Sequence, residues 1–330
     1  MKQFLQKKAK LVFLCMLVLL TCTACANPRG RDGKTLADQI IASEETTIDA
    51  SKINYKDISD KKLKKEIKKN IKDGQYTIQP TTFKDSMSKG WFEGLIVWPI
   101  AQIINLISAK TDAGVGIILT TLLIQVLVFL FTRKSQMSTQ RMQEIQPEIQ
   151  KIQNKYKDKT DERSKMQMAQ EMQNIYQKYD IHPFGSMLIT FIQLPIMMGM
   201  YYATMRSVSV VSGSFMGISL AGTPLDGFKA FDIAYISIYV LMVIFYIVSM
   251  KLPQWLKKWQ DKKDNVKVKK YAQEETNPMA NSMNMSMYFM TAMICIMYIS
   301  WPMAMSFYWL VSSVIRVCQS LILHKVMNKK

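Results

Sequence analysis

Histidine is nearly absent: His182 and His324 are the only two in 330 residues. With so few imidazoles, a histidine-built metal site or a histidine-driven hydrolase has almost nothing to be made from. Of the five cysteines, Cys15, Cys22 and Cys25 sit in or beside the N-terminal leader, while Cys295 and Cys318 lie in apolar runs. None has metal-ligand spacing, and together they form no disulfide framework. No glycine-rich run precedes Lys-Ser or Lys-Thr, so a phosphate-cradling nucleotide loop is missing. Paired acids within the apolar runs and an inverted repeat, both expected of many coupled transporters, are missing too. An enzyme is the least favoured class, and no metal or cofactor is expected.

What is present is strong segregation. Hydrophobic residues make up 49% and charged ones 21%, but the apolar residues gather in runs near the ~20 residues a bilayer requires. Charged blocks separate those runs. The net charge is +18, from 43 Lys and Arg against 25 Asp and Glu. In a membrane protein such a surplus first reads as cytoplasmic loops that set orientation; contact with a ribosome is compatible with it.

The chain begins with Lys2, Lys7, Lys8 and Lys10, then the apolar run 11–20. That is the basic region and short hydrophobic region of an export signal, too short to span comfortably. Thr23-Ala24-Cys25 ends it like a bacterial lipobox, so residues 1–25 are read as a lipoprotein-type signal and Cys25 as the lipidated mature N-terminus. Cys22 stands where leucine is usual. Residues 26–90 are polar without a convincing core and read as an extracytoplasmic spacer with a short basic helix around Lys61–Lys69. Residues 91–110 carry Trp91, Leu95, Trp98, Ile103 and Leu106 with few charges, which suits an amphipathic helix lying in the membrane interface.

Five spans follow, at 113–131, 184–205, 231–250, 283–299 and 303–323. They are joined by a polar stretch at 133–182, an external loop at 206–230, a basic loop at 251–282 and a tight turn at Ser300-Trp301-Pro302, and end in the tail 324–330. The stretch after the first span holds ten Lys and Arg, and the loop after the third holds eight. The basic side is cytoplasmic, so the N-terminus lies outside and the C-terminus inside. The expected fold is an all-α polytopic bundle in the bacterial plasma membrane. Within 133–182, Ile145, Ile149, Ile152 and Tyr156 repeat at helical spacing, as do Met168, Met172, Ile175 and Tyr179. Two such stripes around the polar break 157–161 predict a cytoplasmic helical hairpin.

Polar residues also align inside the spans. The first presents Thr121, Gln125 and Thr132 on one face. The second presents Ser186, Thr190, Gln193, Met197, Tyr201 and Thr204, and the fifth Ser306, Trp309, Ser313, Arg316 and Ser320. A single hydroxyl or amide in a span is usually interhelical glue. An arginine several turns into a span is different. It costs about 2.5–3.5 kcal/mol on insertion scales and should face a bundle interior or a wet cavity, unless it snorkels to the interface. Methionine numbers 26, concentrated between Met279 and Met305; it suits either core gap-filling or a surface accepting varied apolar partners.

Taken in order, Met142-Gln143-Glu144-Ile145-Gln146-Pro147-Glu148-Ile149, Gln193-Leu194-Pro195-Ile196 and Pro302 followed by Tyr308-Trp309 resemble the YidC family of membrane protein insertases, in its Gram-positive lipoprotein form. The resemblance runs from about Trp91 to the C-terminus. It implies a hydrophilic groove in the inner leaflet, open to cytoplasm and lipid, that receives nascent transmembrane segments. Thr121, Gln125, Thr190, Gln193, Trp309, Ser313 and Arg316 are the expected groove residues. It also implies the Sec translocon, ribosomes and the signal-recognition receptor as partners, beside the bilayer itself. Family members usually carry an arginine on the first span where this chain has Gln125; Arg316 is expected to supply that charge from the fifth. A small-solute transporter or channel is the competing reading, since polar stripes also line permeation paths, and a chaperone acting after Sec delivery is a third.

Overall fold

The computed structural model of the protein describes residues 28–156, 159, 161–181, 183–263, 289 and 291–327. Inside its helices the side chains of 143, 146, 147, 150, 183–188, 190, 191 and 261 lie outside that description. The leader with Cys25, most of 264–290 and the tail 328–330 lie outside it as well.

Helix dominates. In chain order the helices are α1 (Lys61–Asn70), α2 (Phe83–Lys89), α3 (Trp98–Ser108), α4 (Ala113–Glu144), α5 (Gln146–Lys155), α6 (Glu162–Lys178), α7 (Pro183–Arg206), α8 (Val208–Ser212), α9 (Pro224–Ala230), α10 (Ile233–Lys263) and α11 (Met303–Met327). Three are long and apolar enough to cross a membrane, over Ala113–Met142, Ile233–Gln260 and Met303–Met327. They cover the segments expected as the first and fifth spans, and the third from Ile233 onward. The second falls on α7, a helix of 24 residues with Pro195 inside it; of the fourth, 291–298 are helical, while 283–288 and 290 lie outside the described residues. Both α4 and α10 run on well past the apolar stretch, through Arg133-Lys134 and through Lys251. Helix α4 ends at Glu144, Ile145 caps α5, and Pro147 sits in the first turn of α5, where its missing N–H removes no helical bond.

The fold is not wholly helical. Short strands pair as β1 (Thr35–Leu36) with β3 (Ile53–Asn54), parallel, and as β2 (Thr46–Asp49) with β4 (Gln75–Ile78), antiparallel. A third pair, β5 (Ser214–Phe215) and β6 (Ile218–Ser219), forms a hairpin turned by Met216 and Gly217, both at positive φ. The first two pairs correct the reading of 26–90 as a coreless spacer. Ile40, Ile48, Ile53, Ile58, Ile67 and Ile78 close a hydrophobic core there, together with Ala37, Ala42 and the distant Val208 and Val211. These isoleucines are isolated among lysines and aspartates, so no period of 2 or 3.6 announces them. Two members of the core arrive from 130 residues further along the chain.

Residue contacts divide the chain into two compact units. One comprises 1–120, 194–222 and 302–305, the other 121–193, 223–301 and 306–330. In the first unit the strand-bearing region is stitched to its neighbours by buried polar groups. The Asn105 side chain, 1% exposed, donates to the Ile41 carbonyl at 2.8 Å and accepts from the Ser207 hydroxyl at 2.6 Å and the Ser209 amide at 3.2 Å. Ile41 exchanges backbone hydrogen bonds with the 206–208 segment, donating to Arg206 and accepting from Val208. The Trp98 indole donates to the Thr81 carbonyl at 2.8 Å, and the Thr35 hydroxyl to that of Met205 at 2.7 Å.

An ion pair completes this unit. A π-helical turn, Glu93–Val97, precedes α3, and from its start Glu93 pairs with Arg206 at the end of α7. The Arg206 side chain is 5% exposed and that of Glu93 14%. The guanidinium also donates to the Gln39 carbonyl and side-chain oxygens, each at 2.7 Å. Around the same helices glycine permits close approach: a Cβ at Gly199 would stand 2.5 Å from Ile96, and one at Gly114 2.1 Å from Phe215. The helical residues from Trp91 to Ser108 bury Phe92, Val97, Ala101, Ile104 and Asn105 and expose Trp91, Leu95 and Leu106.

The second unit contains α5 and α6. Ile145 and Ile149 are buried with Ile181, and Met142, Met172, Ile175, Tyr176 and Tyr179 pack on them. The Tyr156 and Tyr179 hydroxyls donate across to Glu171 and Glu148 at 2.8 and 2.7 Å.

Removing one member of a buried ion pair leaves the other charge uncompensated, which typically costs 3–5 kcal/mol. Arg206→Ala and Glu93→Ala should each lower stability by about that much. The apolar double variant Arg206→Met/Glu93→Leu should recover most of the loss, read as the melting temperature of the detergent-solubilised chain.

A polar cluster among apolar helices

The second unit also holds the residues expected to line a groove. Helix α4 is apolar over its first five turns, and Leu122, Leu123, Val126, Leu127 and Leu130 are exposed. Thr121 and Gln125 lie on its other face and are buried, at 0% and 6% exposure. The Gln125 side-chain amide donates to the Ser312 hydroxyl on α11 at 3.1 Å. On α7 the Gln193 amide donates to the Tyr308 hydroxyl at 3.1 Å. Tyr308 is fully buried, and its hydroxyl lies within hydrogen-bonding reach of Gln193, Ser312 and Gln125 together. Three helices thus contribute one shared set of amides and hydroxyls. In an apolar surround this is how buried polar groups are kept: each satisfies another.

Arg316 stands two turns further along α11 than Tyr308. Its guanidinium reaches the Ser313 hydroxyl at 3.5 Å and lies 5.7 Å from the Trp309 ring and 6.0 Å from the Tyr246 ring of α10. Tyr298 stacks on the far end of this set, its ring 4.9 Å from that of Trp309. Aromatic faces attract a cation through their quadrupole, most effectively where water is scarce. Among the described residues Arg316 has no salt bridge, and its Nε, like the Trp309 Nε1, is buried without a hydrogen-bond acceptor. A buried donor left so costs about 1–3 kcal/mol, so both mark positions where an acceptor is wanted.

At the end of this face Gln140 of α4 donates to the Ser320 carbonyl at 3.2 Å. His324 stands 3.4 Å from Glu144, so α4 and α11 are tied there too.

Of the residues singled out in the sequence, Gln125, Gln193, Trp309, Ser313 and Arg316 take part in this cluster, with Thr121 buried on the same face of α4 as Gln125. Thr190 falls on α7, but its side chain lies outside the described residues. Ser312, Tyr246 and Tyr298 were not singled out, and Tyr308 only within the Tyr308-Trp309 pattern, not as a groove residue. Tyr308 and Ser312 could have been found from their i+4 spacing, parallel to Trp309–Ser313. Tyr246 and Tyr298 sit in apolar runs where a tyrosine reads as one more packing residue. A cavity of about 350 Å3 lies in the other unit, lined by Asn105, Ser108, Asp112, Ser209 and Ser212 among others; it includes none of the expected groove residues.

A family model described as 60Kd inner membrane protein matches residues 105–330, about two thirds of the chain and all of this cluster. The chain belongs to that family, the YidC family. Its relatives include membrane protein insertase YidC 1 of Streptococcus pyogenes serotype M6, 30% identical over 237 residues, which are 72% of this chain and 75% of that protein. The membrane protein insertase YidC of Enterococcus faecalis is also 30% identical, covering 72% of this chain and 76% of its own length. Membrane protein insertase MisCA of Bacillus subtilis is 27% identical over 238 residues, 72% of this chain and 80% of that one. These relatives carry the names of insertases, not of enzymes. The family match begins in α3, so the strand-bearing region before it is outside what the YidC model matches.

Tyr308→Phe removes the acceptor of the Gln193 amide without changing shape. It should lower stability by about 1–3 kcal/mol, the cost of an unsatisfied buried donor. Combining it with Gln193→Leu should restore part of the loss, checked by thermal unfolding in detergent.

Proposed function

We propose that this chain is a membrane protein insertase: it accepts nascent transmembrane segments against the polar cluster of α4, α7 and α11 and releases them into lipid. One observation carries the reading. A family member built from long apolar helices buries, in this cluster, a guanidinium with no salt bridge among the described residues and two donors, Arg316 Nε and Trp309 Nε1, without acceptors. A segment entering with a polar tail would bring acceptors and carboxylates. Such a site lowers the cost of moving that tail part-way across hydrocarbon. Burial of the segment's own apolar surface in lipid then drives release, and no nucleotide is needed.

In this reading the chain has five spans. Its N-terminus lies outside, lipidated at Cys25, and its C-terminus lies in the cytoplasm, as the loop charges require. The cluster opens on the cytoplasmic half of the bilayer. Trp91, Leu95 and Leu106 rest in the outer interface, where tryptophan is favoured. Helices α5 and α6 lie in the cytoplasm, on the side where ribosomes and the signal-recognition receptor would meet it, and the Sec translocon is a lateral partner. Thr190, three residues before Gln193, joins this reading by its spacing in the sequence alone. Arg316 supplies from the last helix the positive charge that Gln125 does not supply from the first.

Arg316→Ala should reduce insertion of a single-span substrate by roughly ten-fold or more in reconstituted proteoliposomes, the equivalent of about 1.4 kcal/mol or above. Arg316→Lys should retain a measurable fraction, and Gln125→Arg with Arg316→Gln should recover activity. Wild-type insertion by Arg316→Ala alongside failure of Gln125→Ala would overturn the role given to Arg316. Site-specific crosslinks from Gln125, Gln193 and Arg316 to stalled nascent chains should appear with many unrelated spans. Solute flux through the same proteoliposomes without insertion would instead favour a transporter.

A further inference from the structure

The strand-bearing region carries a surface that the insertase reading does not use. Helix α1, Lys61–Asn70, contains six lysines and one acid in ten residues. Leu63 and Ile67 turn inward onto the isoleucine core. On a helix of about 3.6 residues per turn, Lys61, Lys65, Lys68 and Lys69 fall opposite those two, with Lys62 at their edge. All five are exposed. The remaining lysine, Lys64, is half-buried and turns to the Lys56 carbonyl.

Among the described residues none of these five exposed lysines is in a salt bridge. Asp60 is occupied as the helix cap, accepting from the Lys62 and Leu63 amides at 2.8 and 3.3 Å. Asp57 accepts from the Arg31 amide at 2.8 Å and the Asn54 side chain at 2.9 Å. Glu66 lies at the border, not within the stripe. Lys61 and Lys65, and Lys65 and Lys69, are four apart, a spacing at which like charges destabilise a helix. The fold therefore holds a self-repelling row of charge in place through the Asp60 cap and the burial of Leu63 and Ile67.

We propose that this stripe is a docking surface for anionic lipid headgroups, drawing the strand-bearing region down onto the outer face of the membrane. The inference rests on the outward orientation proposed above. Three features select headgroups over other polyanions. The stripe contains only lysine, a point charge suited to a diffuse layer, and no arginine, whose fork grips single phosphates bidentately. It is convex and has no aromatic side chain, so it neither encloses a chain-like ligand nor stacks bases. It also belongs to the same compact unit as the exposed Trp91, Leu95 and Leu106, so the bilayer is a tethered partner at high effective concentration.

The test uses the full-length chain in nanodiscs, with Cys295→Ala and Cys318→Ala and a spin label on Asn70→Cys, an exposed position closing α1. Relaxation by a nickel-chelating lipid should be at least about five-fold stronger in discs containing phosphatidylglycerol than in pure phosphatidylcholine, the gain one lysine near an anionic surface provides. High salt should abolish the difference, because exposed charges are screened. Replacing Lys61, Lys62, Lys65, Lys68 and Lys69 together by glutamine should do the same. Glutamine has nearly the helix propensity of lysine, and an unchanged circular dichroism spectrum checks that α1 persists. Equal relaxation in both lipids overturns the proposal. So does a lipid-independent response to an added glycerol-phosphate polymer or acidic peptide. A membrane-impermeant maleimide applied to cells tests the orientation separately. Failure to label Asn70→Cys overturns the outward placement, whereas labelling without lipid dependence overturns the docking alone.

Discussion

A guanidinium held among apolar helices sets the terms for the helices around it. Arg316 cannot be shed of its charge, and among the described residues it has no carboxylate to neutralise it. What it has is a ring of weaker partners: the faces of Trp309 and Tyr246, the Ser313 hydroxyl, and beyond them the amides of Gln125 and Gln193 with Tyr308 and Ser312 between. No one of these would hold a charge in hydrocarbon. Collectively they make a region of raised polarity shared by α4, α7, α10 and α11. Two donors, on Arg316 and Trp309, still find no acceptor. In a site that must take up foreign chains and release them, incomplete satisfaction is useful, because a fully paired network would have nothing to offer a guest.

In the first unit a buried arginine and a buried asparagine do find strong partners. There Arg206 is paired with Glu93 and further bonded to Gln39, and Asn105 uses both its donor and its acceptor. These two side chains are buried but partnered, which helps specify one arrangement of chain segments that are far apart in sequence. The difference between the two arginines, one compensated at a helix end and one uncompensated in mid-helix, separates a structural joint from a candidate site.

The family match adds a boundary to this contrast. It starts within α3, so the polar cluster lies inside the region that the family model matches, while the isoleucine-cored region before α3 lies outside it. That region is nonetheless tied to α3, to the end of α7 and to α8 through Asn105, Trp98, Arg206 and Val208. It is therefore an integral part of its compact unit.

Much of the helical architecture was legible from the chain alone. Long apolar runs, their flanking lysines and arginines, and the i, i+4 recurrence of Gln125, Gln193, Ser313 and Arg316 depend on local pattern. In a bilayer every backbone polar group must be satisfied within its own segment, so local pattern is decisive there. Helix ends were less legible: α4 continues past Arg133-Lys134 because charged residues stop a membrane span without stopping a helix. The aromatic partners of Arg316 and the pairings of the two glutamines required coordinates, since a helix wheel gives a face but not what meets it. The core of residues 28–89 was invisible in sequence. Its isoleucines follow no period, its strands are two to four residues long, and its closing residues come from Val208 and Val211. Sequence determined which segments are helical and which side of each is polar, because those are short-range consequences of spacing. Only the tertiary structure decided which polar groups answer one another and where a core forms without periodicity, because both depend on contacts between residues distant along the chain.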